Sequence, residues 1–314
     1  MALADIRNFV DVDERIGTSG QPTDAQLLDV AAAGYQHVLN LGLLDPKYCL
    51  ADEAGSVASL GLGYEHIPVL FDAPTFDNFL RFVDAMDRVR GTRVFVHCAA
   101  NYRVSSFVSL YGELRNGWSQ VDADAHVRRL WEPNPTWADF IARCRRLFSV
   151  RVRQAETADI AAIMAILHEA AAWLDDRGQS MWQRDELDPD RTASDVVAGQ
   201  FYVADLDGTP AGVGRFQFED REFWPDEPDD ESVFVHRLAV RRAAAGREVA
   251  SGLLASARAR AVAQSRRFLR LDCEASRPRL RQVYERFGFR HHSDRQVGPY
   301  FVSRYQIDVA PRLE

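Results

Sequence analysis

Short apolar segments alternate with helix-forming segments between Asn8 and Phe148, and this alternation constrains the fold more than any other feature. YQHVLNL, YEHIPVL and TRVFVH are typical of buried strands, whereas TDAQLLDVAAAG has Thr23 and Gln26 in capping-box spacing and Gly34 where a helix would end. Alternating strands and helices predict the α/β class, with a parallel sheet flanked by helices. Ligands of such sheets bind at the carboxyl ends of the strands, where FVHCAANYRVS begins.

The length of 314 residues favours two domains of about 150 residues each. FIARCRRLF has the pattern of a helix end, and SVRVRQ directly after it has the pattern of a strand. No linker rich in glycine, proline or serine separates them. We therefore predict one domain over residues 1–148 and a second over residues 149–314.

The composition, 46% hydrophobic and 27% charged, is that of a soluble globular protein. We find no stretch of about 20 apolar residues that could span a membrane and no apolar signal sequence at the start, so we expect a cytoplasmic protein without a membrane partner. A net charge of −8 argues against a nucleic-acid partner. The cysteines are too widely spaced for a zinc ligand set or a disulfide framework, so we expect no metal and four free thiols: Cys49, Cys98, Cys144 and Cys273.

The segment HCAANYRVS joins a predicted strand to a predicted helix, an arrangement that binds anions through unpaired backbone N–H groups at the helix start. Cys98 could act there as a nucleophile towards a phosphoryl group, and Arg103 could hold the phosphate oxygens. The sequence from GTSGQPT through HCAANYRVSSF resembles the bacterial dual-specificity, tyrosine-phosphatase-like family over most of residues 5–148. This resemblance implies a phosphate-bearing ligand at Cys98.

The loop departs from the family pattern, which places five residues between cysteine and arginine. Here Val104 holds the arginine position and Arg103 comes one residue early, while Asn101 lies near the usual glycine. We therefore expect slow hydrolysis at best. Asn tolerates left-handed backbone angles better than most residues do.

Three further residues have a catalytic and a structural interpretation. Asp72 in VLFDAPT matches the general acid of the family in order and distance, but it could equally be a loop or capping residue. His97 could orient the cysteine or simply pack within the strand. Cys49 could be a resolving thiol, although a spare cysteine is the simpler interpretation.

The second half resembles the GNAT acetyltransferases over residues 150–310, on the residues LAVRRAAAGREVASGLL and YERFGF. The resemblance implies a mixed α/β sheet that splays between its fourth and fifth strands, with acetyl-CoA bound in the opening. Leu238 and Val240 would then pair with the pantetheine arm through their main chains. The loop that binds the pyrophosphate would comprise Gly246, Arg247, Val249, Ala250 and Ser251.

Glu248 departs from this pattern because it takes the place of the central glycine in that loop. An acid there is favourable at a free helix N-terminus and unfavourable beside phosphate, so we expect weakened binding of acetyl-CoA. Tyr284 falls where the family places the acid that protonates the departing thiolate, and His236 is a candidate general base. Both could instead be packed core residues.

The segment EDREFWPDEPDDES is strongly acidic. Such runs are usually solvated loops, and one that lines an acceptor entrance would favour a cationic amine. The sequence therefore predicts acetyl transfer from acetyl-CoA to a small-molecule or peptide amine, joined to a cysteine-dependent phosphatase-like domain. Two alternatives remain: the first domain could bind phosphorylated ligands without turnover and regulate the second, or the chain could be an interaction scaffold.

Overall fold

The computed structural model of the chain describes residues 3–179, 182 and 186–309, apart from the side chain of residue 229. It divides into two compact units, Met1–Cys144 and Arg145–Glu314. The division falls within a helix that ends at Phe148, the residue at which the sequence places the domain boundary.

The first unit contains a five-stranded sheet: β1 (Val10–Asp11), β2 (Ile16–Ser19), β3 (His37–Asn40), β4 (Gly63–His66) and β5 (Val94–His97). The strand order is β1-β2-β5-β3-β4, and all neighbours are parallel except β1 and β2. The helices are α1 (Asp24–Ala32), α2 (Glu53–Ser59), α3 (Phe76–Arg88), α4 (Tyr102–Arg115), α5 (Gln120–Arg128) and α6 (Pro135–Phe148). The predicted parallel α/β sheet is confirmed, and β5, which leads to Cys98, is its central strand.

Local sequence explains where the first helix starts and stops. The Thr23 side chain accepts from the backbone N–H of Gln26, and the Gln26 side chain accepts from the N–H of Thr23, so the predicted capping box is confirmed. Gly34 follows the helix with φ +83°, a conformation that glycine adopts without steric penalty. Leu27 and Val30 of α1 then pack against Val38 and Phe95 of the sheet.

The second unit contains a seven-stranded mixed sheet in the order β11-β12-β10-β9-β8-β7-β6. Its strands are β6 (Val150–Gln154), β7 (Phe201–Leu206), β8 (Thr209–Gln217), β9 (Ser232–Val240), β10 (Phe268–Glu274), β11 (Arg290–Val297) and β12 (Tyr300–Asp308). Its helices are α7 (Ile160–Asp175), α8 (Pro189–Val197), α9 (Val249–Ala263) and α10 (Pro278–Phe287). Only β9 and β10 are parallel neighbours. The sequence did not predict α8 or β11. For β11 the reason is that seven residues of RHHSDRQV are polar and five of the eight are exposed.

The expectation that no stretch of the sequence is long and apolar enough to span a membrane is wrong. Within the described residues, the helical stretch Thr157–Asp175 is long and apolar enough to cross a membrane by length and composition alone. In the structure, Ile163, Ile166 and Leu167 of this stretch pack against strand residues such as Val203 and Val213. One face of this helix therefore packs in the core of the second unit.

Candidate functional sites

The loop between β5 and α4 is held tightly by the rest of the first unit. Asn101 precedes the helix in the left-handed conformation, at φ 67°, which asparagine tolerates better than most residues do. Its Nδ2 donates to the backbone oxygen of Asn8 at 2.7 Å and to Thr18 Oγ1 at 3.0 Å. Cys98 is only 1% exposed. The loop thus has the strand–turn–helix form of an anion site, but protein atoms fill its surroundings.

Arg103 lies in the same loop region as Cys98, and its guanidinium is engaged with backbone oxygens. Nη1 donates to the carbonyl of Leu41 at 3.2 Å and to that of Val69 at 2.8 Å. These carbonyls belong to the segments that follow β3 and β4, so the side chain ties the carboxyl ends of two strands together. The arginine is 5% exposed. Both N–H bonds of Nη1 are therefore committed to structure.

His97 belongs to a buried polar network that the sequence did not reveal. Its Nε2 lies 2.6 Å from Glu53 Oε1, and the other oxygen of Glu53 accepts from Asn40 Nδ2 at 2.8 Å. The three residues come from β5, the start of α2 and the end of β3. His97 thus binds a carboxylate through one ring nitrogen, and its predicted role in orienting Cys98 stays a prediction.

The other candidates of the first unit are Asp72 and Cys49. Asp72 is exposed in the turn after β4, and within the described part of the chain no hydrogen bond or ion pair joins it to Cys98 or Arg103. Cys49 is half-buried, and all four cysteines are free thiols. Trp131, to which we assign no chemistry, stacks on Tyr102 with ring centroids 4.9 Å apart. Within the residues that the structure describes, neither Asp72 nor Arg103 is hydrogen-bonded to Cys98, and the guanidinium of Arg103 is engaged with the carbonyls of Leu41 and Val69.

In the second unit, β9 and β10 separate part way along their length. Their pairing runs from Phe268 opposite Ser232 to Leu271 opposite Val235, and then stops. Both strands continue, so β9 from His236 to Val240 has an unpaired edge on that side. A bulge helps to turn β9, because Arg237 has φ 50° where the register with β8 shifts. The predicted splay between the fourth and fifth strands of this unit is therefore present.

The splay opens into a cavity of about 1150 Å³. Five of the residues singled out in the sequence line it: His236, Leu238, Val240, Ala250 and Tyr284. The remaining predicted residues, Gly246, Arg247, Val249 and Ser251, lie in the loop before α9 or in its first turn. The cavity thus runs from the unpaired strand edge to the start of a helix, where backbone N–H groups can bind an anion.

The start of α9 shows why its loop favours glycine. Glu248 precedes the helix with φ 60°, a conformation that is strained for most side chains. Its Oε2 accepts from Ser251 Oγ at 2.6 Å, which places the carboxylate at the first turn. Gly246, with φ 76°, has open space where a side chain would lie. Arg247 pairs with Asp207 at 3.1 Å, and both side chains are more than half exposed.

Tyr284 and His236 occupy the cavity in different electrostatic settings. Burial, and secondarily the charges of Cys273 and Asp272, raise the pKa of Tyr284 well above its ordinary value, so the phenol stays protonated. His236 Nε2 lies 3.2 Å from Asp220 Oδ2. Tyr284 is therefore suited to donate a proton, and His236 contacts a carboxylate.

Sequence reasoning missed Asp220 and Asp272, which lie beside His236. Asp272 could have been recognised as an acid within the predicted strand FLRLDC. Asp220 could not be distinguished from the other acids of the segment EDREFWPDEPDDES. That segment is more than a solvated loop, because Asp226 pairs with Arg304 at 2.5 Å and Glu227 pairs with Arg270 at 2.6 Å. Its acids thus neutralise largely buried arginines of β12 and β10.

Comparison with known proteins assigns the two regions to different groups. Residues 167–289 match the Acetyltransferase (GNAT) family. The uncharacterized N-acetyltransferase YesJ of Bacillus subtilis strain 168 is 29% identical over 163 residues, which cover 50% of this chain and 85% of YesJ. The second region therefore has a family match and a relative that it covers over most of its length.

The first region has relatives of another kind. A beta-lactamase hydrolase-like protein of Xylella fastidiosa strain Temecula1 is 30% identical over 105 residues, which cover 32% of this chain but only 24% of that relative. A DUF442 phosphatase-like protein of Shewanella putrefaciens CN-32, known from a crystal structure, is 30% identical, with 46% of this chain and 96% of that one covered and a TM-score of 0.43. The N-terminal region is thus similar to DUF442 phosphatase-like proteins, and the C-terminal region matches the acetyltransferase (GNAT) family.

Proposed function

We propose that the C-terminal unit transfers an acetyl group from acetyl-CoA to an amine. The observation that carries this proposal is the unpaired edge of β9 beyond Val235, which borders a cavity that also holds Tyr284 and reaches Ala250 at the start of α9. An extended amide-containing chain can pair with such an edge as an added strand does. A phosphorylated end would then meet the helix N-terminus.

The binding roles follow from this placement. The main chains of Leu238 and Val240 would pair with the pantetheine amides, because β10 no longer occupies that edge. The pyrophosphate would lie on the backbone N–H groups around the first turn of α9, contributed by Gly246, Arg247, Val249, Ala250 and Ser251. The open space beside Gly246 leaves room for a close approach.

The catalytic roles divide between Tyr284 and the side chains around His236. Tyr284 would protonate the departing thiolate, since its raised pKa keeps the proton on the phenol until a stronger base forms. His236 and the carboxylates beside it would accept a proton from the amine. Both groups would act on the reacting atoms.

Calorimetry of the full chain with acetyl-CoA tests the proposal. We expect saturable binding of one acetyl-CoA, with competition by coenzyme A because both share the pantetheine and pyrophosphate. Absence of binding would contradict the acetyl-transfer proposal and favour the scaffold alternative.

For the N-terminal unit we propose a binding site for a phosphate-bearing ligand at Cys98, with slow hydrolysis at best. The strand–turn–helix form of the loop supports the binding site, and the commitment of Arg103 Nη1 to the carbonyls of Leu41 and Val69 supports the slow hydrolysis. An aryl phosphate such as p-nitrophenyl phosphate should be cleaved slowly, and Cys98→Ser should abolish that cleavage. Rapid cleavage that survives this substitution would show that the loop is not the site.

A further inference from the structure

Three acid–base side chains meet where β9 and β10 begin to separate. His236 and Asp272 each directly follow the last paired residues of their strands, Val235 and Leu271. Asp220 reaches the same place from the connection between β8 and β9. One potential ligand atom from each of the three side chains lies within 4.8 Å of the others. All three residues line the cavity.

The carboxylates are fixed but incompletely satisfied. Asp220 Oδ1 accepts from the backbone N–H groups of Glu222 at 3.2 Å and of Phe223 at 2.9 Å. This orients Oδ2 towards His236 Nε2, which lies 3.2 Å away. Asp220 is only 7% exposed, and its Oδ2 is buried without a partner in hydrogen-bond geometry. Asp272 Oδ1 is also buried without one. Buried carboxylate oxygens without donors are costly, so a ligand that donates N–H bonds would be stabilised here.

We propose that Asp220 and Asp272, with His236 between them, form the subsite for the ammonium group of the acceptor, and that Asp272 takes the proton of that group. This inference rests on the proposed acetyl transfer and narrows the acceptor to primary amines that are cationic in solution. The ring of Phe223 lies 6.3 Å from that of His236, so an apolar group on the amine has a surface beside the cluster.

The proposed acetyl transfer conserves atoms and charge. The ammonium gives one proton to Asp272, and the free amine attacks the carbonyl carbon of acetyl-CoA to form the N–C bond. The C–S bond then breaks, the thiolate receives a proton from Tyr284, and the second N–H proton of the new amide restores the phenol. The proton on Asp272 passes to solvent, so the products are the acetylated amine, coenzyme A and one proton.

Binding of the ammonium should depend on pH through Asp272. The groups that face it are His236 on β9, Asp220 and Glu222 before β9, Arg304 on β12 and Tyr284 on α10. Burial, with the charges of Asp220 and Glu222 adding to it, raises the pKa of Asp272 to about 6. Asp272 is therefore ionised above that pH and protonated below it, so the affinity for ammonium should fall as the pH drops through about 6.

Calorimetry of the full chain with benzylamine and with its neutral analogue benzyl alcohol measures the charge preference directly. At pH 7.5 we expect benzylamine to bind about tenfold more tightly, the size of one charge-assisted hydrogen bond. Asp220→Asn and Asp272→Asn should each remove most of that preference. Asp230→Asn is the matched control, because it removes an exposed acid of the same connection, and it should keep the preference.

Three results would overturn the proposal. Equal affinity for benzylamine and benzyl alcohol, or no binding of either, would show that the cluster does not select an ammonium group. Loss of benzylamine binding in EDTA with recovery in Zn²⁺ would show that the three side chains hold a metal ion instead. Acetyl-CoA affinity, measured in parallel on each variant, reports folding of the unit. If acetyl-CoA fails to bind but benzylamine keeps its preference, acetyl transfer and the proton-accepting role of Asp272 are wrong, while the selection of an ammonium group by the three side chains stands.

Discussion

Helices α4 and α9 begin in the same backbone conformation but in opposite surroundings. The residue before each helix, Asn101 at φ 67° and Glu248 at φ 60°, has left-handed angles and makes no side-chain cap. Each follows a strand end through a loop in which glycine would be the unstrained choice. Asn adopts these angles far more readily than Glu does.

The two helix starts differ in what surrounds them. At α4, Asn101, Cys98 and Arg103 are all at most 5% exposed, and protein carbonyls take the side-chain N–H groups. At α9, Gly246 borders open space and the side chain of Arg247 is 52% exposed. One strand–loop–helix unit therefore holds the core together, whereas the other leaves room for a ligand. A ligand at α4 must displace protein contacts, and a ligand at α9 need not.

Arg103→Ala should give the largest effect. The substitution leaves the carbonyls of Leu41 and Val69 without their donor, and each buried group left unsatisfied costs about 1–3 kcal/mol. We expect the unfolding free energy of the N-terminal unit to fall by about 3 kcal/mol. Hydrogen-exchange mass spectrometry of β5 and α4 peptides in the full chain measures this.

Arg115→Ala is the matched control on the same helix. Arg115 pairs with Asp87 at 3.0 Å, and both side chains are about a third exposed. Its removal should cost less than about 1 kcal/mol, as for most surface ion pairs. Equal effects of the two substitutions would show that Arg103 does not hold the strand ends together. The start of α4 would then not differ from that of α9 in being closed by structural contacts.

Tyr284→Phe tests whether the open site performs chemistry. Because the buried phenol keeps its proton, its loss should slow acetyl transfer by about 100-fold, within the usual range for a general acid. The Kd for acetyl-CoA should change less than about twofold, since protonation of the thiolate matters only in the transition state. Steady-state kinetics with calorimetry separates the two. An unchanged kcat would remove Tyr284 from the mechanism.

Asn101→Gly gives a smaller effect on the closed helix start. Glycine accepts the left-handed angles, but the bonds from Nδ2 to Asn8 and Thr18 are lost. The loss should outweigh the relieved strain and lower stability by about 1 kcal/mol. Hydrogen-exchange mass spectrometry of the β5 and α4 peptides measures this change in stability. Higher stability would show that the backbone angles, and not the side-chain bonds, dominate at this position.

Local features of this chain were predictable, and long-range ones were not. The capping box at Thr23, the left-handed Asn101 and the splayed sheet follow from residues close together or from family pattern. The Asp220–His236–Asp272 cluster depends on where the pairing of β9 with β10 stops, which no local pattern encodes. The partners of Arg103 are backbone carbonyls, which leave no trace in side-chain identity. β11 is largely polar because five of its eight residues are exposed to solvent, so periodicity gave no strand signal there.

Glu248→Gly should have the smallest effect on stability. Relief of the left-handed strain, about 1 kcal/mol, is offset by the greater freedom of glycine in the unfolded chain and by loss of a carboxylate that is favourable at a free helix N-terminus. Stability should therefore change by only a few tenths of a kcal/mol, while affinity for acetyl-CoA rises several-fold because a negative charge leaves the first turn of α9.

Glu248→Gln keeps the strain and removes the charge, so it should reproduce the gain in affinity and lower stability by a few tenths of a kcal/mol. The gain should shrink as salt screens the charge. Calorimetry at low and moderate salt measures it, and equal affinities of all three proteins would show that the carboxylate points away from the bound pyrophosphate.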